Sequence, residues 1–253
     1  MAIGYARVEF VKRSEGKTSC AKAAYNSRSK VEFYGNCALD PDTYNWSNKE
    51  SAAHHEILLP SWADEKFKSL QILWNAVEAK EKKYNSQVAM ELLLALPDDK
   101  IISLEDKIQL SKSFVQTHFV NKGLAAQIDI HPPERRVKIT RDHRELGLFK
   151  EMIGNVLEEK EGHLTVQFDA KKIVSFHSQE FNGYIETENN WHAHVLLSTR
   201  RFKQDGLDLE DTKARDLMPR ICKGKVVSGD DWGKLWADHQ NRFFSSVLRN
   251  TLK

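Results

Sequence analysis

Two histidines one residue apart, in Trp191-His192-Ala193-His194-Val195-Leu196-Leu197-Ser198, run straight into an apolar segment of β type, and this pattern constrains the fold more than any other in the chain. Residues i and i+2 of a strand point to one face, so His192 and His194 present two imidazoles side by side. Imidazole is the commonest neutral nitrogen ligand for divalent metals, and a strand fixes its direction better than a loop does. The pair is either half of a metal site or a half-exposed strand that happens to carry two histidines. A third ligand separates the two readings.

The candidate for that ligand lies upstream, in Ala125-Ala126-Gln127-Ile128-Asp129-Ile130-His131. This segment alternates like a second strand and is stopped by Pro132-Pro133, which cannot continue a ladder. His131 then stands at the strand's end. Asp129, two residues back on the same face, is placed to accept a hydrogen bond from an imidazole or to approach the metal itself. Taken alone, a strand-end histidine beside a Pro-Pro turn is an ordinary solvated side chain. The remaining histidines (His54, His55, His118, His143, His163, His177 and His239) lack comparable spacing and read as surface or core residues.

Composition sets wider bounds. With 40% apolar and 29% charged residues over 253 positions, the chain reads as soluble and globular, one domain with elaborations. The net charge of +2 does not announce nucleic acid, although a local basic patch is compatible with it. Cys20, Cys37 and Cys222 are odd in number and have no Cys-x-x-Cys spacing, which argues for a reducing compartment and against zinc fingers. No signal-peptide run opens the chain. The most apolar stretch, residues 88–97, is too short to span a bilayer and contains Glu91, so a cytoplasmic protein is expected.

Periodicity gives the order of elements. Residues 3–10 read as an opening strand and 11–17 as a polar loop, after which Thr18 or Ser19 can cap a helix through Ala21, Ala24 and Tyr25. Residues 36–49 are polar and rich in Asn, Asp and Pro. A short strand is expected at 55–60. Phe67, Leu70, Leu73, Trp74 and Val77 give the stripe of an amphipathic helix over 64–83. A strand at 88–96 precedes a helix over 103–121, opened by Ser103 with Asp106 three residues on and closed at Gly123. Strands follow at 125–131 and 191–198, and a helix at 232–248. The expected fold is α/β or α+β, a central mainly antiparallel sheet with helices packed on it.

A nucleophile candidate sits near the N-terminus, in Ala23-Ala24-Tyr25-Asn26-Ser27-Arg28. On a helix, Lys22, Tyr25 and Arg28 fall at i, i+3 and i+6, which places a phenol between two cations. Positive charge there favours the phenolate and binds phosphate. The plain alternative is a half-buried tyrosine on an amphipathic helix.

With these residues in view, the chain resembles the relaxase domain of the MobA/MobL family of conjugative plasmid-transfer proteins, within the tyrosine endonucleases that carry a histidine-hydrophobic-histidine metal motif. The matching pieces occur in the family's order: Ala24-Tyr25-Asn26-Ser27-Arg28, His55-Glu56-Ile57-Leu58-Leu59-Pro60, Trp74-Asn75-Ala76-Val77-Glu78, Met90-Glu91-Leu92-Leu93-Leu94-Ala95-Leu96-Pro97, Ile130-His131-Pro132-Pro133 and Trp191 to Arg201. The resemblance implies a nucleophilic Tyr25 and a divalent ion, Mg²⁺ or Mn²⁺, on His131, His192 and His194. Glu91 is implied as the acidic partner that orients a ligand or polarises the nucleophile, with Glu56 a weaker acidic position. Lys22, Arg28, Arg200 and Arg201 are expected to contact DNA, with Trp191 and Phe202 beside them. The implied activity is nicking of single-stranded DNA at an origin of transfer through a 5′-phosphotyrosine link, in a bacterial cytoplasm, with accessory relaxosome proteins and a coupling protein as partners.

Two features depart from the family pattern: Asp129 replaces a small or apolar residue, and residues 134–190 stand where a short connection is usual. Leu146, Phe149, Ile153 and Leu157 predict a short amphipathic helix in this insertion, and residues 164–168 a strand. Its start is basic, with Arg135, Arg136, Lys138, Arg141 and Arg144, and is compatible with a strand-binding groove or with a solvated decoration. A rolling-circle replication initiator shares the same chemistry. A non-enzymatic DNA-binding module and a small-phosphoester hydrolase are the readings from other classes, and covalent attachment to DNA separates them from the first two.

Overall fold

The computed structural model describes residues 4–35, 41–48, 51–169, 172–177, 183–188, 190–222 and 225–251. They divide into two compact units, Met1–His131 with Trp191–Lys253, and Pro132–Asn190.

In the first unit the chain runs β1 (Ala6–Lys12), α1 (Ser19–Ser27), β2 (Lys30–Phe33), β3 (Asp42–Asn45), β4 (His54–Leu58), α2 (Leu70–Lys80), β5 (Gln87–Ala95), α3 (Leu104–His118) and β6 (Ala126–His131). The second unit holds β7 (Glu134–Ile139), β8 (Ile153–Lys160), β9 (His163–Asp169), β10 (Lys172–His177) and β11 (Gly183–Glu188). The chain then returns through β12 (His192–Ser198), β13 (Arg220–Cys222), β14 (Lys225–Ser228) and α4 (Trp232–Thr251).

The main sheet has the order β1-β5-β12-β6-β4, with every neighbouring pair antiparallel. Strand alternation divides its side chains between two cores. Leu92, Leu94, Ile128, Ile130, Val195 and Leu197 face one way, against Phe114 of α3 and Trp232 and Trp236 of α4. Ala89 and Leu196 face the other way, against Ala23 and Ala24 of α1 and Leu73, Trp74 and Val77 of α2. By parity, His192, His194, Gln127, Asp129 and His131 share this second face with Leu196. The expected mixed architecture with a central antiparallel sheet is the one observed.

Several boundaries differ from those expected, for local reasons. The helix predicted over 64–83 is broken: a 3₁₀ turn at Glu65–Lys68 is capped by Asp64, and Ser69, extended at ψ 123, restarts the chain as the cap of α2. Thr18, rather than Ser19, caps α1 by accepting from the Ala21 amide, while Ser19 gives its amide and hydroxyl to the buried Glu78 carboxylate. The Ser103–Asp106 capping box forms as expected. Part of the polar region 36–49 is strand, since β3 pairs with β2 as a hairpin; residues 36–40 and 49–50 lie outside the described residues.

The predicted helix through Leu146, Phe149, Ile153 and Leu157 is not formed. The second unit is a five-stranded antiparallel sheet in the order β10-β9-β8-β7-β11, and β8 begins at Ile153. Backbone conformation accounts for the difference. Gly147 and Glu151 have φ of 62° and 72°, left-handed values that a right-handed helix cannot contain. The four apolar residues are 38–54% exposed, and the unit's core is Val137, Ile139, Leu148, Leu164, Val166 and Phe176 instead. The expected strand at 164–168 is present within β9.

This packing predicts an inverted mutational pattern in the second unit. A Cβ added at Gly154 would lie 2.5 Å from Val166 Cγ1 and 2.8 Å from Phe168 Cδ1, so Gly154→Ala should cost about 1–3 kcal/mol through overpacking. Leu157→Ala should stay within about 0.5 kcal/mol. Hydrogen exchange of the β8 and β9 amides under mild denaturant measures both; a larger loss for Leu157 would restore the helical reading.

Candidate metal centre and nucleophile

The pairing of β12 with β6 sets His192 opposite His131 and His194 opposite Asp129. Three imidazoles from two adjacent strands therefore converge. Ligand-capable atoms of His131, His192 and His194 all lie within 4.8 Å of one another, and the ring centroids are 4.8–5.5 Å apart. The long excursion in sequence does not separate the three histidines, because it leaves and re-enters the first unit at two strands that are hydrogen-bonded neighbours.

Two of the three rings, His194 and His131, are held by groups behind them. His194 Nδ1 lies 2.9 Å from Glu91 Oε1 and donates to it, which leaves Nε2 with its lone pair outward. His131 Nε2 donates to the Asn26 carbonyl at 2.7 Å, so Nδ1 keeps the lone pair, and Arg28 Nη2 stands 3.5 Å from it. Burial drives the His131 pKa down to about 3, helped by the charges of His194 and Arg28, so the ring is neutral at neutral pH as a metal ligand must be. Three imidazole donors within 4.8 Å of one another, His131 and His194 with a ring nitrogen already engaged by the protein, fit a divalent ion.

Glu91 is the hinge between this cluster and α1. Its carboxylate, 5% exposed, receives His194, Asn26 Nδ2 at 3.1 Å and Lys22 Nζ at 2.7 Å. Burial pushes its carboxyl up, but the His194 hydrogen bond and the Lys22 charge outweigh burial and hold it at about 2. Lys22 is thus committed to Glu91. Arg28 does not continue α1: it is the left-handed C-cap, with φ 54°, and it folds back to stack 4.6 Å from the centre of the Tyr25 ring. Lys22 stands 5.7 Å from the same ring, and Trp46 packs edge-on at 5.2 Å. Tyr25 therefore lies among two cations and an indole, on the turn whose Asn26 peptide bonds His131.

Strand alternation already places Asp129 on the cluster's face, but sequence spacing misses His55, Gln127 and Trp74, the residues bonded to it and behind it. Asp129, fully buried, accepts at Oδ1 from His55 Nδ1 at 2.6 Å and at Oδ2 from Gln127 Nε2 at 2.6 Å. Burial raises its pKa, with His55 and Gln127 opposing. Gln127 in turn accepts from Trp74 Nε1 at 2.6 Å. The signal for His55 was strand parity, because it shares a face with the buried Ile57 whereas Glu56 must face the other way. Glu56 indeed points to the α3 side, where it pairs with Lys112 at 2.9 Å and His54 at 3.2 Å, and it takes no part in the cluster.

Arg200 and Arg201 are both engaged within the protein. They lie beyond the far end of β12, six and seven residues on from His194. Arg200 binds Glu81 at 2.8 Å and the Asp211 carbonyl; Arg201 binds Asp216 at 2.5 Å and the Lys122 carbonyl at 2.8 Å. Both tie loops to the sheet. Phe202 is 1% exposed against Phe67 and offers no stacking surface. Trp191 donates to Asp99 at 3.0 Å, with the Lys107 ammonium 4.6 Å from its ring.

The chain belongs to the MobA/MobL family, which it matches over residues 17–153. It is 26% identical over 240 residues to a conjugal transfer protein TraA of Agrobacterium fabrum, covering 84% of this chain and 21% of that protein. A mobilization protein MobL of Acidithiobacillus ferridurans is 27% identical over 244 residues, covering 93% of this chain and 53% of the relative. The chain thus spans about a fifth of the length of the TraA relatives. A solved structure from work on the molecular basis of vancomycin resistance transfer in Staphylococcus aureus shares the fold, with a TM-score of 0.60 at 23% identity over 96% of this chain and 92% of that one.

The titrations predict acid sensitivity in two overlapping stages. His131 ordinarily titrates at 6.5 and is held at about 3, so its contribution is complete above 6.5 and fades as pH falls toward 3. Glu91, ordinarily at 4.5 and held at about 2, adds a further loss below 4.5. The melting temperature of metal-stripped protein should fall from about pH 6.5 downward, and His131→Asn should flatten the upper stage. An unchanged upper stage in that variant would remove His131 as its origin.

Proposed function

We propose that this chain is the relaxase domain of a plasmid-mobilisation protein, a transesterase that nicks single-stranded DNA at an origin of transfer. The observation that carries this reading is the tie between Tyr25 and the histidine cluster: Asn26 bonds His131, and Arg28 both stacks on Tyr25 and reaches His131. Membership of the MobA/MobL family and relatives named for conjugal transfer and mobilization support it, and favour transfer over replication.

His131, His192 and His194 would hold the ion, which when bound supplies positive charge against the scissile phosphate's non-bridging oxygens. Three nitrogen donors suit Mn²⁺ better than Mg²⁺, which prefers oxygen. Tyr25 Oη attacks the phosphorus in line; the P–O3′ bond breaks, leaving a 3′-hydroxyl and a 5′-phosphotyrosine. The phosphodiester energy persists in that link, so the step can be run backward to rejoin the strand. Arg28 stabilises negative charge on the phenol and, from the same place, on the phosphate. Glu91 acts through His194, fixing its tautomer, and through Lys22 and Asn26, fixing α1. Accessory relaxosome proteins and a coupling protein are the partners this role requires, and the bacterial cytoplasm is its place.

Tyr25→Phe should abolish nicking of labelled single-stranded origin DNA while leaving affinity within several-fold, because one hydroxyl adds little to a phosphate-dominated interface. Denaturing electrophoresis reads both cleavage and the covalent adduct. An adduct that survives in the variant would move the nucleophile elsewhere, Tyr34 and Tyr44 being next in line.

A further inference from the structure

On the reading that Tyr25 and the histidine cluster transfer a DNA phosphodiester, we infer that His55 is a further catalytic residue, the group that gives a proton to the departing 3′-oxygen. His55, Asp129 and His194 stand in one row across three neighbouring strands, since β6 sets Asp129 opposite both. All three side chains share the face that carries the cluster. His55 is then two strands from His194, about 10 Å between Cα atoms at an interstrand spacing of about 4.8 Å, on the face over which a phosphodiester held at the cluster would lie.

The imidazole is aimed by a chain of buried hydrogen bonds. Asp129 Oδ1 takes His55 Nδ1 at 2.6 Å; its other oxygen is occupied by Gln127, which is itself pinned by Trp74 and by the Ala23 carbonyl at 3.1 Å. The carboxylate cannot turn, so Nε2 of His55 points away from it. The Asp129 side chain is 0% exposed and that of His55 is 35% exposed, so the pair presents one imidazole edge to a strand arriving from solvent. A buried carboxylate behind a half-exposed histidine is the arrangement of proton-transfer pairs, in which the acid holds the ring and stabilises its cationic form. Glu91 is buried behind His194, and Lys22 is tied to Glu91, so neither is placed for the leaving oxygen.

The step balances as follows. As the Tyr25 Oη–P bond forms, the phenol proton passes to solvent. The P–O3′ bond breaks with its electron pair on O3′, which takes the proton from Nε2 of the His55 imidazolium. The neutral ring keeps its Nδ1–H on Asp129 and is recharged by water. In rejoining, the same nitrogen removes the proton from the 3′-hydroxyl.

The test compares two single-stranded oligonucleotides spanning the nick that the full wild-type protein makes with Mn²⁺, one all-oxygen and one with sulfur in place of the scissile 3′-oxygen. A thiolate leaves without a proton. His55→Ala and His55→Gln should slow the oxygen substrate by about 10²-fold, the lower end of general acid–base contributions, and restore most of the rate on the sulfur substrate. Asp129→Asn should show the same pattern more weakly. An equal loss on both substrates would overturn the role, as would no loss on either; unchanged melting temperature and Mn²⁺ affinity exclude misfolding as the cause. Tyr25→Phe on the sulfur substrate guards the parent reading: cleavage there would bring down the phosphotyrosine mechanism itself, whereas equal losses in the His55 variants bring down only the acid.

Discussion

The antiparallel register between β6 and β12 is the constraint on which the candidate site depends. It sets His192 against His131 and His194 against Asp129, and a slip of one residue would send one strand's polar set into the apolar core under α3 and α4. The two central strands resist that slip because both faces are buried. Ile128, Ile130, Val195 and Leu197 lock one side, and Leu196 with the α1 and α2 core locks the other. A site made of histidines thus inherits its precision from aliphatic packing.

Polar residues on the other face reach outward from this register. His194 leads to Glu91 and on to Lys22 and Asn26 of α1; Asp129 leads to Gln127 and Trp74 of α2, and outward to His55. Burying carboxylates is costly unless their oxygens are bonded, and both oxygens of Glu91 and of Asp129 are. The helix that carries Tyr25 is therefore attached to the sheet by the same groups that orient the histidines. Displacement of α1 and displacement of His131 and His194 are one event.

Much of this was legible in the sequence, where chemistry coincided with periodicity. His192 and His194 share a face by strand alternation, Pro132-Pro133 marks the end of β6, and the Ser103–Asp106 box opens α3. What spacing could not give was which cation is already paired. Arg200 and Arg201 look like a DNA contact in sequence, and only tertiary structure brings Glu81 and Asp216 to them. Glu56 and His55 are adjacent letters with opposite faces, and one residue of strand parity decides between them. The insertion misled because spacings of three and four residues are satisfied by chance in β8 and the loop before it. A left-handed Glu151 is invisible to a count of apolar positions.

The convergence of three imidazoles on one ion is the claim from which the rest follows. Crystals of the protein grown with Mn²⁺, with anomalous diffraction collected at the manganese edge, address it directly. The expected map has one strong peak bounded by ring nitrogens of His131, His192 and His194 together. A peak that contacts only the β12 pair, or one that lies elsewhere on the molecule, would contradict it.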